Sequence, residues 1–491
     1  MKIVLNRKSD ISLSQQIHDH IADRIRSNLL KENSPLPSIR NLAKKCNVSM
    51  MTANKAYETL EKEGLITRIQ GKGTFVQKKT NKALSGLEEQ SPSFNWQLTI
   101  SDYLPRAQSI RFNNRHERIQ LSQSTVYPGL LPNRHLEQEI KKVLSDDPQI
   151  LSTYGDIKGD FQFRKELTNY LKQFKLKLAP SEVLITNGVQ QGIDLVARSF
   201  IGPGDIVITE GPTYAVAIDV FRGRGATIIP IPVDEEGMKV ELLSKIDKKP
   251  KLIYTIPSFQ NPTGTVLSNK RRSKLLTYAQ MHGAIIVEDD SLSELYFDSK
   301  PPLPLKSMDE EGHVIYLKGF SKTLSPGCRI GVVAASGTIY NRLLSAKTMA
   351  DLGSPLVTQK AILSFIKSNK MKSHLQKLRI TLKIRRDHVV SLLNQYAPDG
   401  VHWNTCQGGL NIWLTLPPFY HTDEIFIEAN KLGLSFLPSS ACYPGEPETN
   451  HMRICFSSVE DQLLEEGIIL LCQLLSQYLA TTANQSNIPT V

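Results

Sequence analysis

The sequence predicts an α/β protein preceded by a separate small module of helices closed by a β-hairpin. Three observations carry that expectation. The chain has 491 residues, more than one ordinary core encloses, so two domains are the default. Charge is uneven: residues 1–82 hold 16 Lys and Arg against 7 Asp and Glu, a net of +9 out of +11, and the other 409 residues carry only +2. From about Ile119 onward, apolar runs of strand length alternate with helical periods, the pattern of an α/β core.

The N-terminal elements follow in order. Ile17, Ile21, Ile25 and Leu29 recur at helical spacing and predict an amphipathic helix over Ile11–Leu29. After the break Asn33-Ser34-Pro35-Leu36-Pro37, the stretch Ser38–Cys46 reads as a short second helix with Ile39, Leu42 and Ala43 inward. Ser49 is placed to cap a third helix from about Met50 to Glu63, with Ala53, Ala56, Tyr57 and Leu60 on one face. Gly64 stops it, and Leu65–Ile69 and Thr74–Gln77 read as strands around Gln70-Gly71-Lys72-Gly73. This is the order of a winged helix-turn-helix, whose third helix fits the major groove while a basic wing reaches phosphates.

Leu36-Pro37-Ser38-Ile39-Arg40-Asn41-Leu42-Ala43, Val48-Ser49, Ala56-Tyr57, Glu63-Gly64-Leu65-Ile66 and Gly71-Lys72-Gly73-Thr74-Phe75-Val76 resemble the GntR family of transcription regulators. The resemblance implies double-stranded DNA as a partner, touched by Arg40, Ser49, Thr52, Asn54, Gly71 and Lys72. Met50 stands where that family often has a polar residue. Residues 79–115 are polar and aperiodic and read as a linker, with a short ordered piece at Phe94–Leu98. The expected division is therefore 1–78, the linker, a second domain over 116–480 and a disordered tail over 481–491.

In the second domain, chemistry-bearing stretches fall where buried strands end, which is where ligands gather in such sheets. They are Asn187-Gly188-Val189-Gln190-Gln191, Glu210-Gly211-Pro212-Thr213-Tyr214, Pro257-Ser258-Phe259-Gln260-Asn261-Pro262-Thr263-Gly264, Ile285-Ile286-Val287-Glu288-Asp289-Asp290 and the loop from Gly319 to Gly331. In that loop, the Lys322 amine can form a Schiff base with a carbonyl and the Arg329 guanidinium suits a phosphate. Ser321-Lys322 with Pro326-Gly327-Cys328-Arg329-Ile330-Gly331 resembles the lysine segment of fold-type-I pyridoxal-phosphate aminotransferases. Implied are a mixed, mainly parallel sheet with helices on both faces, a smaller C-terminal α+β subdomain, and pyridoxal phosphate as cofactor.

On the same resemblance, Lys322 is the Schiff-base lysine, and Gly188, Val189, Gln190, Ser321 and Arg329 form a phosphate cup. Tyr214 stacks on the ring, Asn261 meets its phenolic oxygen, Asp289 its pyridine nitrogen, and Arg453 an effector α-carboxylate. From the residues alone, Asp289 also reads as a turn cap, Asn261 as a turn residue, Tyr214 as ordinary packing and Arg453 as an exposed edge-strand arginine. Three places depart from the family: Gly319 lacks a hydroxyl, Val189 replaces a small or hydroxyl residue, and Ser291-Leu292 stand where a tyrosine is usual. Cofactor binding with little transamination is the expectation.

A winged helix ahead of an aminotransferase-like domain is the layout of the MocR subfamily. It implies a homodimeric transcription regulator sensing an amine, an amino acid or pyridoxal phosphate itself at Lys322. The alternatives are a working aminotransferase that carries a DNA-binding module, and a regulator whose second domain only dimerises. The six cysteines lack a C-x-x-C pair or metal-ligand spacing and read as free thiols in a reducing compartment. The N-terminus shows no apolar signal core, and the longest apolar stretch near the C-terminus, Gly467–Leu475, reads as too short to cross a bilayer. A cytoplasmic protein without metal or membrane partner is expected.

Overall fold

Strands buried on both faces read as near-continuous apolar runs, and such runs organise the larger unit, Pro105–Gln477. The computed structural model of the chain describes residues 12–26, 30, 33–69, 72–77 and 117–486. Leu29, Gly71, the linker and its Phe94–Leu98 piece thus lie outside the described residues.

In the N-terminal unit, α1 (Leu13–Arg26), α2 (Ile39–Cys46) and α3 (Met50–Lys62) precede the hairpin of β1 (Ile66–Ile69) and β2 (Gly73–Val76). Ser38 and Ser49 each accept an N–H of the first turn, from Asn41 and Thr52, and so start α2 and α3. Asn47, in the left-handed region at φ 52°, ends α2. Ile17, Ile21, Leu42, Ala53, Tyr57, Leu60 and Ile66 close one core, each buried aliphatic side chain contributing about 1.5–3 kcal/mol. Residues 33–36, expected to be only a break, run beside β2: Leu36 N–H donates to Thr74 O at 2.8 Å and Val76 N–H to Ser34 O at 3.1 Å.

The larger unit begins with β3 (Ile119–Gln120). Its main sheet comprises β4 (Val183–Thr186), β5 (Ile206–Gly211), β6 (Thr227–Asp234), β7 (Gly237–Met238), β8 (Leu252–Thr255), β9 (Ile285–Asp290), β10 (Val314–Gly319) and β11 (Gly331–Ala334). Their order is β4-β11-β10-β9-β8-β5-β6-β7. β6-β5-β8-β9-β10 are parallel, whereas β11 runs antiparallel to both β10 and β4. One face buries Leu252, Val287, Ile315 and Leu317 with the helices Val189–Phe200, Ala215–Arg222 and Gly337–Ala350. The other buries Ile208, Ile253, Ile286 and Val314 with the helix Asn269–His282, and Val183, Ile185 and Val332 with Phe161–Leu171 and Leu356–Lys367.

A smaller sheet of β12 (His402–Trp403), β13 (Asn411–Thr415), β15 (Leu437–Pro438) and β16 (His451–Cys455) follows, in the order β12-β13-β16-β15, and β14 (Leu434–Ser435) pairs with β3. The last helix, Asp461–Ser486, continues into the stretch expected to be a disordered tail. Its segment Asp461–Ala480, longer than the Gly467–Leu475 run read from the sequence, is long and apolar enough by length and composition to span a membrane. Leu464, Ile468, Leu471, Cys472 and Leu475 are nevertheless buried, and a Cβ on Gly467 would lie 2.6 Å from Ile119. It therefore packs as a core helix. All six cysteines are free and buried.

Candidate functional site

The carboxyl ends of β4, β5, β8, β9 and β10 share one edge of the sheet, and the reversed β11 brings its amino end to that edge as well. Lys322 and Arg329 thus come from one loop. Gly188 follows β4 at φ +81°, a conformation that costs glycine little, and starts the helix Val189–Phe200 without a side-chain cap. Arg329 Nη2 donates to Asn187 O at 2.9 Å, and a Cβ on Gly188 would lie 2.7 Å from that nitrogen. An uncapped helix start, a glycine under a guanidinium and an exposed Arg329 make a cradle for a phosphate. Ser321 and Lys322 are half-buried beside it.

Asp289 is buried at the end of β9. Its Oδ2 accepts from Tyr254 at 2.8 Å and its Oδ1 from Ser291 at 2.6 Å. Burial pushes its carboxyl above the ordinary range, against these two donors and the charge of Lys322. A cationic ring nitrogen placed there would relieve the buried charge, so the site fits pyridoxal phosphate. The turn-cap reading of Asp289 has no support among its partners, which are side chains.

Asn261 Oδ1 accepts from Arg453 Nη1 at 2.7 Å, which brings two predicted residues together. Arg453 also donates to Ser122 O. It is 5% exposed on β16, between β13 and β15, so the alternative of an exposed edge-strand arginine is overturned. Tyr214 donates to Gln190 Oε1 at 3.3 Å, which links the β4 and β5 loops.

Two groups receive no role from the sequence, although Glu210 opens one of the chemistry-bearing stretches. Tyr254 sits in a strand with no motif, and only its alternation onto the Asp289 face marks it. Glu210 lies beneath the 257–264 loop, where its carboxylate accepts from Thr255 Oγ1 at 2.6 Å, Ile256 N at 3.1 Å and Gln260 Nε2 at 3.2 Å. Burial pushes it up to about 7 despite these donors.

The three departures from the family turn out to be neighbours. A Cβ on Gly319 would lie 3.1 Å from Val189 Cγ2 and 3.2 Å from Ser291 Oγ. Position 319 is therefore bare where Val189 is bulky, and Ser291 supplies the hydroxyl that reaches Asp289.

In the N-terminal unit, Arg40, Ser49 and Lys72 are exposed, and Thr52 is half-buried at the start of α3. Met50 and Met51, 58% and 81% exposed, share that first turn. Asn54 is half-buried; its amide donates to Glu58 Oε1 at 2.6 Å on the exposed side of α3 and its oxygen accepts from Arg68 Nη1 at 3.0 Å. Tyr57 donates to Pro37 O at 2.7 Å and fixes α3 against the lead-in to α2.

Comparison with known proteins agrees with both units. Residues 119–469 match the family model described as aminotransferase class I and II, and residues 13–76 that of bacterial regulatory proteins, gntR family. The uncharacterized HTH-type transcriptional regulator YisV of Bacillus subtilis is 34% identical over 94% of this chain and 96% of its own length. Aromatic-amino-acid aminotransferase 1 of Thermococcus litoralis is 35% identical over 73% of this chain and 88% of its own. Among solved structures, the multiple substrate aminotransferase from Thermococcus profundus superposes with a TM-score of 0.73 at 30% identity, covering 79% of this chain and all of that one. LysN from Thermus thermophilus, complexed with N-(5'-phosphopyridoxyl)-L-leucine, gives 0.72 at 27% identity over 77% and 96%. The chain belongs to the MocR subfamily of GntR-type regulators, a winged helix-turn-helix followed by a pyridoxal-phosphate-dependent class I and II aminotransferase domain.

Proposed function

We propose that this regulator reads an amine or amino-acid effector, or pyridoxal phosphate itself, at Lys322, and that the reading biases its grip on an operator. When bound, the cofactor supplies an electrophilic carbonyl carbon and an electron-withdrawing ring. Lys322 is the amine that holds it, Gly188, Val189, Gln190, Ser321 and Arg329 take its phosphate, and Tyr214 covers its ring. Asp289, oriented by Tyr254 and Ser291, faces the ring nitrogen, Asn261 meets the ring's phenolic oxygen, and Arg453, which donates to Asn261, takes an effector carboxylate. Arg40, Ser49, Thr52, Asn54, Gly71 and Lys72 meet DNA, in a cytoplasmic homodimer whose two-fold axis suits paired half-sites.

The observation that carries this reading is the convergence of Asp289, with its two donors, and the Asn261–Arg453 pair on the sheet edge that bears Lys322. The test is the visible spectrum of cofactor-saturated protein and of Lys322→Ala across a panel of amines and amino acids, with operator affinity measured alongside. A band lost in the variant, shifted by one ligand class and accompanied by changed DNA affinity is expected. An unmodified Lys322 after borohydride reduction and peptide mapping would overturn it. The 35% identity to an aromatic-amino-acid aminotransferase favours a second reading, transamination; turnover with an amino donor and a 2-oxo acid at ordinary enzyme rates is its signature.

A further inference from the structure

The face of the sheet away from the cofactor site holds a buried ionic cluster. Lys318 Nζ lies 3.3 Å from Asp290 Oδ2, 3.1 Å from Glu294 Oε2 and 3.1 Å from Ser293 Oγ, and it sits 4.8 Å from the centre of the Phe174 ring. Tyr316 donates to Asp290 and Tyr170 to Glu294. Above this cluster opens a cavity of about 390 Å³, between residues 170–174, the 293–304 segment and the helices Leu356–Lys367 and Lys370–Tyr396. Its volume falls within the range of small-molecule sites.

The lining is of two kinds. Phe174, Tyr296, Leu303 and Leu375 give it apolar walls, whereas Lys300, Lys367, Lys372 and Arg379 surround it with positive charge. Glu294, the acid in the lining, is already matched by Lys318. The three lysines are exposed. Arg379 is different: it is half-buried, its Nε donates to Glu294 O at 2.7 Å, and its guanidinium carbon lies 4.0 Å from the Tyr296 ring centre. One bond and one stack hold the guanidinium in place, and Nη1 and Nη2 have no acceptor among the described residues. A fork held beside an apolar wall is suited to a carboxylate attached to an apolar body.

We propose that this cavity is a second ligand site, separate from the Lys322 site, and that it takes a small aromatic or aliphatic carboxylate whose anion sits on Arg379. The proposal does not depend on cofactor chemistry.

Isothermal titration of the full-length, cofactor-saturated protein with phenylacetate tests it, with benzyl alcohol as the uncharged control. Saturable binding of one phenylacetate per chain is expected, weakened about tenfold in Arg379→Gln and severalfold in Lys372→Glu, which changes only an exposed side chain. Benzyl alcohol should bind at least about tenfold more weakly. The proposal fails if phenylacetate does not saturate by about 10 mM, or if both variants bind it as the wild type does. It fails too if the alcohol binds equally well, or if Arg453→Gln abolishes binding while Arg379→Gln preserves it, which would place the ligand in the cofactor-side site.

Discussion

Asp289 and Asp290 are neighbours in the chain that serve opposite faces of the sheet, because strand alternation turns successive side chains apart. Asp289 meets Tyr254 and Ser291 on the cofactor side; Asp290 meets Tyr316 and Lys318 on the other. The end of β10 separates the two lysines of the 315–331 stretch, since Lys318 lies in the strand and belongs to the buried cluster whereas Lys322 lies in the loop beyond.

The two aspartates should therefore fail differently when changed to asparagine. Asp289→Asn is expected to keep its fold and loosen the cofactor, read as a faster loss of visible absorbance on dialysis. Asp290→Asn leaves Lys318 with Glu294 as its one carboxylate partner, and breaking such a buried pair costs about 3–5 kcal/mol. Urea unfolding at pH 7 separates them; equal losses of stability would contradict the two-face arrangement.

Gly319 and Val189 share one small space. Gly319→Ser brings a Cβ to 3.1 Å from Val189 Cγ2, and overpacking of this kind costs about 1–3 kcal/mol. Adding Val189→Ala should recover most of that loss. A double-mutant cycle on thermal stability that shows simple additivity would rule out the coupling.

Glu210 ties stability to pH. Its folded-state value of about 7 lies above the ordinary 4.5, so the folded protein binds the proton more tightly than the unfolded one. Stability is then greatest below the ordinary carboxyl value and falls as pH rises from about 4.5 to 7, by roughly 3 kcal/mol for a shift of this size. Glu210→Gln cannot titrate, although its amide meets the Gln260 donor and costs about 1 kcal/mol at low pH. The difference between wild type and variant should move in favour of the variant between pH 5 and pH 8. Glu288, also raised to about 7 by burial, is present in both proteins and cancels.

Operator binding should weaken steeply with salt. Residues 1–82 hold +9 of the chain's +11 charges, and each phosphate contact contributes a slope of about −0.9 in log affinity against log salt. Lys72→Ala should reduce that slope by about 1, measured by fluorescence anisotropy. A flat response would exclude phosphate contact as the source of affinity.

What was legible in the chain was what local physics writes there. Ser49 marks a helix start through a short-range hydrogen bond, and Val183–Thr186 or Ile315–Leu317 mark buried strands through composition. What was not legible depends on contacts between distant segments. Tyr254 has no neighbour in sequence that betrays its bond to Asp289. Arg453 gives no sign that β15 will pair beside it, which is why an edge position was open. Val189, Gly319 and Ser291 each read as a separate loss until the fold sets them in contact. Asn54 reads as a surface amide because Arg68 lies 14 residues away.

The hairpin-like excursion from β10 into β11 is clamped at its base, where Gly319 pairs with Gly331 in antiparallel register. A parallel return would have needed a crossover of a dozen or more residues, and amine and guanidinium would then ride on separate pieces of backbone. As it is, one loop presents both groups, and both ends of that loop are tied to the same sheet.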